Sequence, residues 1–260
     1  MFKRIIVIIA FALTLAACSN SGITHDPLKE FKGQSAKQLF DKGEYALAKG
    51  SYSESIKYLE ALDSIYPFGR YSQQTRLDLI YAYYRSDDYS SALAAADRYL
   101  HLYPRAKTAD YALYMKGVID MERGPGWLLR AIGADESQRD IGHLKAAFTD
   151  FNLLAVRYPF SRYTADAVVR MYYIRNKLAA NELQVAQFYY DRDAFVASAD
   201  RAGVVVQHYE GAPQVIDALA MMVKSYRELH LPRMAAQSLS VLAHNFPDSD
   251  QYHELVQDRV

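Results

Sequence analysis

Hydrophobic positions along this chain recur on a helical period, at fixed distances before a proline. Four segments close on an aromatic–proline pair: Tyr66-Pro67, Tyr103-Pro104, Tyr158-Pro159 and Phe246-Pro247. Steps of 5, 8, 12 and 15 residues back from Pro67 reach Leu62, Leu59, Ser55 and Tyr52; from Pro104 they reach Tyr99, Ala96, Ala92 and Tyr89. From Pro159 they reach Leu154, Phe151, Ala147 and Leu144, and from Pro247, Leu242, Leu239, Ala235 and Pro232. Spacings of three and four place such residues on one face of a helix, which the proline then stops. A degenerate copy spans Glu182–Glu210, where Phe195, Ser198, Ala202 and Val205 take the same steps back from Glu210 in place of proline. Helical segments precede four of these, at Ala36–Ala48, Gln73–Arg85, Asp110–Met121 and Val215–Leu229. Small residues such as Gly43, Gly117, Ala92, Ala147 and Ala235 allow paired helices to approach closely. The stretch 163–190 has no Gly or Pro and predicts one long helix.

This pattern resembles the tetratricopeptide repeat, a helix–turn–helix unit of about 34 residues. Pro67 to Pro104 and Glu210 to Pro247 are each 37 residues apart, one unit per period. The expected fold is all-α, a tetratricopeptide-repeat solenoid of about five helix-turn-helix units. Repeats 1–3 occupy 34–162, with a loop insertion at 122–142 holding Trp127, the only tryptophan. The linking helix and repeats 4–5 occupy 163–250, and 251–260 is a tail. The insertion reads as a long exposed loop, or as a partner-contacting one because Trp127 lies beside Leu128 and Leu129. Stacked hairpins bury what each leaves exposed and curve around a concave groove suited to peptides.

The N-terminus carries a signal of another kind. Met1-Phe2-Lys3-Arg4, an apolar run from Ile5 to Leu15, and Ala16-Ala17-Cys18 form a secretory signal too short to span a bilayer. Leu15-Ala16-Ala17-Cys18 also resembles the lipobox of bacterial lipoproteins, and Cys18 is the only cysteine in the chain. Residues 1–17 are then a cleaved signal peptide, Cys18 the lipid attachment point, and 18–33 a flexible tether. Two or three acyl chains, at about 0.8 kcal/mol per buried methylene, hold a domain stably at a membrane. In lipoprotein sorting, Ser19 after the cysteine favours the outer membrane.

Composition excludes more than it identifies. Thirty basic and thirty acidic residues cancel, which removes the electrostatic footprint of a non-specific nucleic-acid binder. One cysteine precludes an internal disulfide, and 22 Tyr with 11 Phe point to aromatic helix seams or a recognition surface. No phosphate-cradling Gly-rich loop or Gly-x-Ser-x-Gly turn occurs, and the seven His never pair at ligand spacing. Asp87-Asp88 and Asp248-Ser249-Asp250 read as solvated turns. No catalytic residue, metal ligand or cofactor is expected beyond the covalent lipid on Cys18.

Polar groups interleave with aromatics most densely in Tyr66-Pro67-Phe68-Gly69-Arg70-Tyr71-Ser72-Gln73-Gln74, running into Leu77–Tyr84. That run, Glu60-Ala61-Leu62-Asp63 before it, the lipobox and the repeats together resemble the BamD family, lipoprotein subunits of the β-barrel assembly machinery of Gram-negative bacteria. The likeness spans residues 1 to about 245. It implies a non-catalytic protein on the periplasmic face of the outer membrane, lipid-anchored, with no nucleic-acid partner. It also implies binding to a BamA-like barrel protein, to BamC/BamE-like lipoproteins, and to C-terminal signals of unfolded outer-membrane proteins. The peptide-binding candidates are Tyr66, Phe68, Arg70, Tyr71, Gln73, Gln74, Asp78, Tyr81 and Tyr84. The partner-binding candidates are Tyr189, Arg192 and Trp127, with Asp193 standing where the family has a small residue. Alternatives are a general scaffold lipoprotein, or a cell-wall-acting lipoprotein enzyme, which would need converging carboxylates or a polar triad.

Overall fold

The structure, a computed structural model, describes residues 28–123 and 141–257. Among these, eleven α-helices follow one another and no strand occurs: α1 (Ala36–Ala48), α2 (Tyr52–Ile65), α3 (Ser72–Arg85), α4 (Tyr89–Leu102), α5 (Ala109–Glu122), α6 (Gly142–Arg157), α7 (Thr164–Tyr190), α8 (Phe195–His208), α9 (Gln214–Glu228), α10 (Pro232–Asn245) and α11 (Asp250–Gln257). From α1 to α10, each helix packs on the next. The result is a tetratricopeptide-repeat solenoid in which α1/α2, α3/α4, α5/α6, α7/α8 and α9/α10 are successive hairpins.

The repeat register is the burial register. At steps 5, 8 and 12 before each closing residue, Leu62, Leu59 and Ser55, then Tyr99, Ala96 and Ala92, then Leu154, Phe151 and Ala147 are buried; so are Val205, Ala202 and Ser198, and Leu242, Leu239 and Ala235. Full burial of one leucine among these stabilises by about 1.5–3 kcal/mol. Helix approach is set by size matching at one crossing. A methyl placed on Gly43 would meet Leu59 at 2.6 Å, and one on Gly117 would meet the Phe151 ring at 2.5 Å. In the second hairpin the sizes are exchanged, with Ile80 on the first helix and Ala96 on the second.

Four hairpin turns share another device. Gly50, Asp87, Asp193 and His230 lie 17 residues before their closing residues, and all four have positive φ, at 75°, 60°, 59° and 55°. The left-handed residue reverses the chain between paired helices. Asp87 and Asp193 thus stand in a conformation that favours a residue without a side chain.

Two features depart from the sequence reading. Residues 251–260 read as a tail, yet α11 occupies 250–257. Leu255 is fully buried against Leu219, Val223 and Leu242, and Arg227 Nη2 donates to the Leu255 carbonyl at 2.7 Å. One turn of apolar periodicity is too short to read as a helix, but it covers the open face of the last hairpin. The other departure is a set of charged pairs between helices, each with at least one carboxylate or ammonium group shielded from solvent. Asp63 lies 2.7 Å from Arg76, Glu182 lies 2.9 Å from Arg201, and Lys116 lies 2.7 Å from Asp97 and 3.5 Å from Asp150. Each pair joins different helices, so it fixes their register as well as satisfying charge.

Candidate functional site

The turn between the first two hairpins displays its side chains. Phe68 is 87% exposed, Tyr66 is 37% exposed and Arg70 is exposed. The turn is nonetheless held from beneath. Arg76, buried, donates through Nη2 to the Pro67 carbonyl at 3.0 Å and through Nη1 to the Tyr103 hydroxyl at 2.5 Å, while its Nε pairs with Asp63. The Tyr66 hydroxyl donates to the Gln34 carbonyl at 3.0 Å. Tyr71 stacks on Phe40 with ring centroids 4.7 Å apart, and the Arg70 guanidinium lies 5.7 Å from the Tyr71 ring. An exposed phenylalanine on a fixed turn can meet an aromatic side chain without first paying to order the backbone.

Helix α3 divides the remaining candidates by face. Gln74, Asp78 and Tyr81 are spaced i, i+4, i+7 and form one stripe. Gln74 Nε2 donates to Asp78 Oδ1 at 2.8 Å, and Arg85, one turn on, donates to the Tyr81 hydroxyl at 2.7 Å. Gln73 and Tyr84 share the adjacent stripe with buried Leu77 and Ile80 and do not join this group. Gln73 Nε2 donates to the Tyr99 hydroxyl at 2.9 Å and to Thr108 Oγ1 at 3.1 Å, locking the seam between the second and third hairpins. The Tyr84 hydroxyl donates to Glu122 Oε2 at 2.8 Å, and its ring packs into the same seam. The sequence run treats all these residues as one cluster; the helical period turns Gln73 and Tyr84 into the seam instead.

The stripe on α3 continues onto neighbouring helices through residues outside the sequence candidates. Tyr52 meets Tyr81 edge-on at 6.4 Å, and Arg85 lies 4.9 Å from the Tyr52 ring. Tyr111 of α5, its hydroxyl pushed upward by burial, lies 5.7 Å from Tyr163, which stacks on Tyr114 at 4.8 Å. Asp78 itself is only 8% exposed, and its carboxyl is raised to about 8 by burial and by the facing Glu44 of α1. Spacing within one helix could have found Tyr81 with Arg85, but not Glu44 or Tyr111, which arrive from other repeats. An open cleft of about 560 Å³ beside this stripe is lined by Glu44, Lys49, Tyr52 and Tyr81.

Toward the other end, Arg192 follows α7. Its guanidinium sits 3.6 Å from the Phe188 ring centroid and donates to the Phe188 carbonyl at 3.0 Å. Phe188 is half exposed, and Tyr189 meets it edge-on at 5.7 Å. An Arg stacked on an exposed aromatic keeps its remaining donors available for a carboxylate. Trp127 and Cys18 lie outside the described residues. No helix among the described residues is long and apolar enough to cross a membrane.

Residues 32–242 match the YfiO family, described as outer membrane lipoprotein. Similar proteins include the outer membrane protein assembly factor BamD of Pasteurella multocida, 37% identical over 92% of this chain and 89% of its own length. BamD of Neisseria meningitidis serogroup B is 34% identical over 95% of this chain and 92% of its own. BamD of Vibrio cholerae is 39% identical over 75% of this chain and 80% of its own.

Proposed function

Since the chain belongs to the BamD family of outer-membrane protein assembly factors, we propose that it works by holding segments of unfolded outer-membrane proteins and carries out no reaction on them. The observation that carries this reading is the turn Tyr66–Tyr71, with Phe68 exposed and Arg70 beside it, above the Gln74–Asp78–Tyr81 stripe. Apolar ring, cation and amide stand together on a backbone fixed by Arg76. Such a set takes up an extended peptide ending in an aromatic residue: the ring packs on Phe68, and a carboxylate reaches Arg70.

Nascent barrel strands carry unpaired backbone groups and exposed apolar side chains, an aggregation hazard until they pair. Holding the terminal strand near the membrane shortens that exposure. Attachment through acylated Cys18 on the periplasmic side confines the groove to the membrane surface, so modest affinity suffices. The opposite end, with Tyr189 and Arg192 around Phe188, faces the BamA-like barrel protein; BamC/BamE-like lipoproteins complete the assembly. Covalent lipid is the only added group this mechanism needs.

The experiment is crosslinking of a client C-terminal peptide to the wild-type protein and to Phe68→Ala and Arg70→Glu variants. Both substitutions fall on exposed side chains, so the fold is retained. Loss of crosslinking supports the reading; crosslinking unchanged in both variants removes this turn from the site.

A further inference from the structure

The first two hairpins meet across two acids. Glu44 on α1 and Asp78 on α3 face one another, and Glu44 Oε1 and Asp78 Oδ2 are both sealed from solvent with no donor in reach. Two ionised carboxylates cannot bond to each other, since both only accept. With one proton between them they can, because a protonated carboxyl donates. Burial and the neighbouring negative charge both hold that proton on Asp78 well above the usual carboxylate range.

Among the described residues, no lysine or arginine pairs with either acid. Gln74 of Asp78's own helix donates to Oδ1, and Tyr111 of α5 is a neutral phenol. From α2, Asp63 is committed to Arg76; from α4, Arg98 reaches Asp63 and Asp97 reaches Lys116. Lys49, just past α1, covers the Tyr45 ring, and Arg85 covers Tyr52 and Tyr81. An unrelieved like-charge pair inside a helix seam is stable only while it is protonated.

We propose that the Glu44–Asp78 carboxyl pair is a proton-operated latch between the first and second hairpins, closed while it holds one proton and released when that proton leaves. Release lets α1 swing from α3 and solvates Asp78, taking the pair from one negative charge to two. The balance is simple: one O–H bond on Asp78 breaks, the proton passes to water, and two carboxylates separate.

The sign follows from the shift. Asp78 in the closed seam binds its proton up to about pH 8, whereas a solvated carboxyl releases it near 3.8. Between those values opening releases a proton, so the open fraction rises about tenfold per pH unit and levels off above about 8. The test is amide hydrogen exchange of the full chain in detergent, from pH 6 to pH 9, with rates corrected for intrinsic exchange and no client present. Amides of α1 should lose protection about tenfold per unit up to pH 8, while those of α9 and α10 do not. In Asp78→Asn the amide donates to Glu44 at every pH, and α1 protection should stay flat; Glu44→Gln should behave alike and decides the matter if the first variant fails to fold. Flat protection of α1 in the wild type, or an unchanged slope in the folded variant, overturns the latch. Because no client enters the measurement, it stands or falls apart from the holding function.

Discussion

Arg76 Nε lies 2.7 Å from Asp63 Oδ1 with both side chains buried, and the same guanidinium holds the Pro67 carbonyl. One ion pair thus joins α2 to α3 and sets the height of the turn that carries Phe68. Removing one partner leaves the other charge buried alone, a penalty of about 3–5 kcal/mol. Asp63→Ala should cost that much in urea unfolding. Arg98, also near Asp63 but mostly exposed, should cost under about 1 kcal/mol when changed to Ala. Equal losses for the two substitutions would contradict the assignment.

The left-handed turn residues give a prediction of opposite sign. A side chain in that conformation costs about 1–2 kcal/mol relative to glycine. Asp193→Gly and His230→Gly should therefore each raise stability by about 1 kcal/mol, which would match the glycine that the first hairpin has at Gly50. The measurement is the urea midpoint at unchanged m-value. Destabilisation of both would show that their side chains hold the turn.

Helical glycines should divide by their neighbours. Gly117→Ala drives a methyl to 2.5 Å from a fully buried ring and should cost about 1–3 kcal/mol. Gly203→Ala meets nothing closer than 3.9 Å, so the helix preference of alanine should stabilise it by up to about 1 kcal/mol. Paired melting curves of the two variants check this.

Asp150 sits between α5 and α6, where burial raises its carboxyl to about 6, opposed by Lys116 and reinforced by Asp120. A carboxyl raised on folding stabilises most at low pH and loses that contribution as pH climbs through its folded value. Unfolding free energy should therefore decline between pH 4 and pH 6 less steeply in Asp150→Asn than in wild type. Identical slopes would mean that Asp150 ionises in the fold as it does unfolded.

Much of this architecture is legible in the chain because one rule repeats. Counting back from each aromatic–proline pair finds Leu59, Ala96, Phe151 and Leu239, each buried at its crossing. What the chain hides is whatever two repeats make together. Glu44 and Asp78 are 34 residues apart, Asp63 and Arg76 lie on either side of a turn, and no spacing rule links them. Gln73 and Tyr84 leave the stripe for a local reason: they lie one residue before Gln74 and Arg85, and one residue turns a helical side chain by about 100°. Leu255 was hidden by the brevity of its helix.

The proposed holding of client segments falls on one stripe of α3 and the turn before it. Photocrosslinking residues placed singly at 68, 74, 81, 73 and 84, with an unfolded outer-membrane protein as client, test it most directly. Adducts at 68, 74 and 81, with none at 73 and 84, are expected. Labelling at 73 and 84 as strong as at 68, or none at 68, 74 and 81, would contradict it.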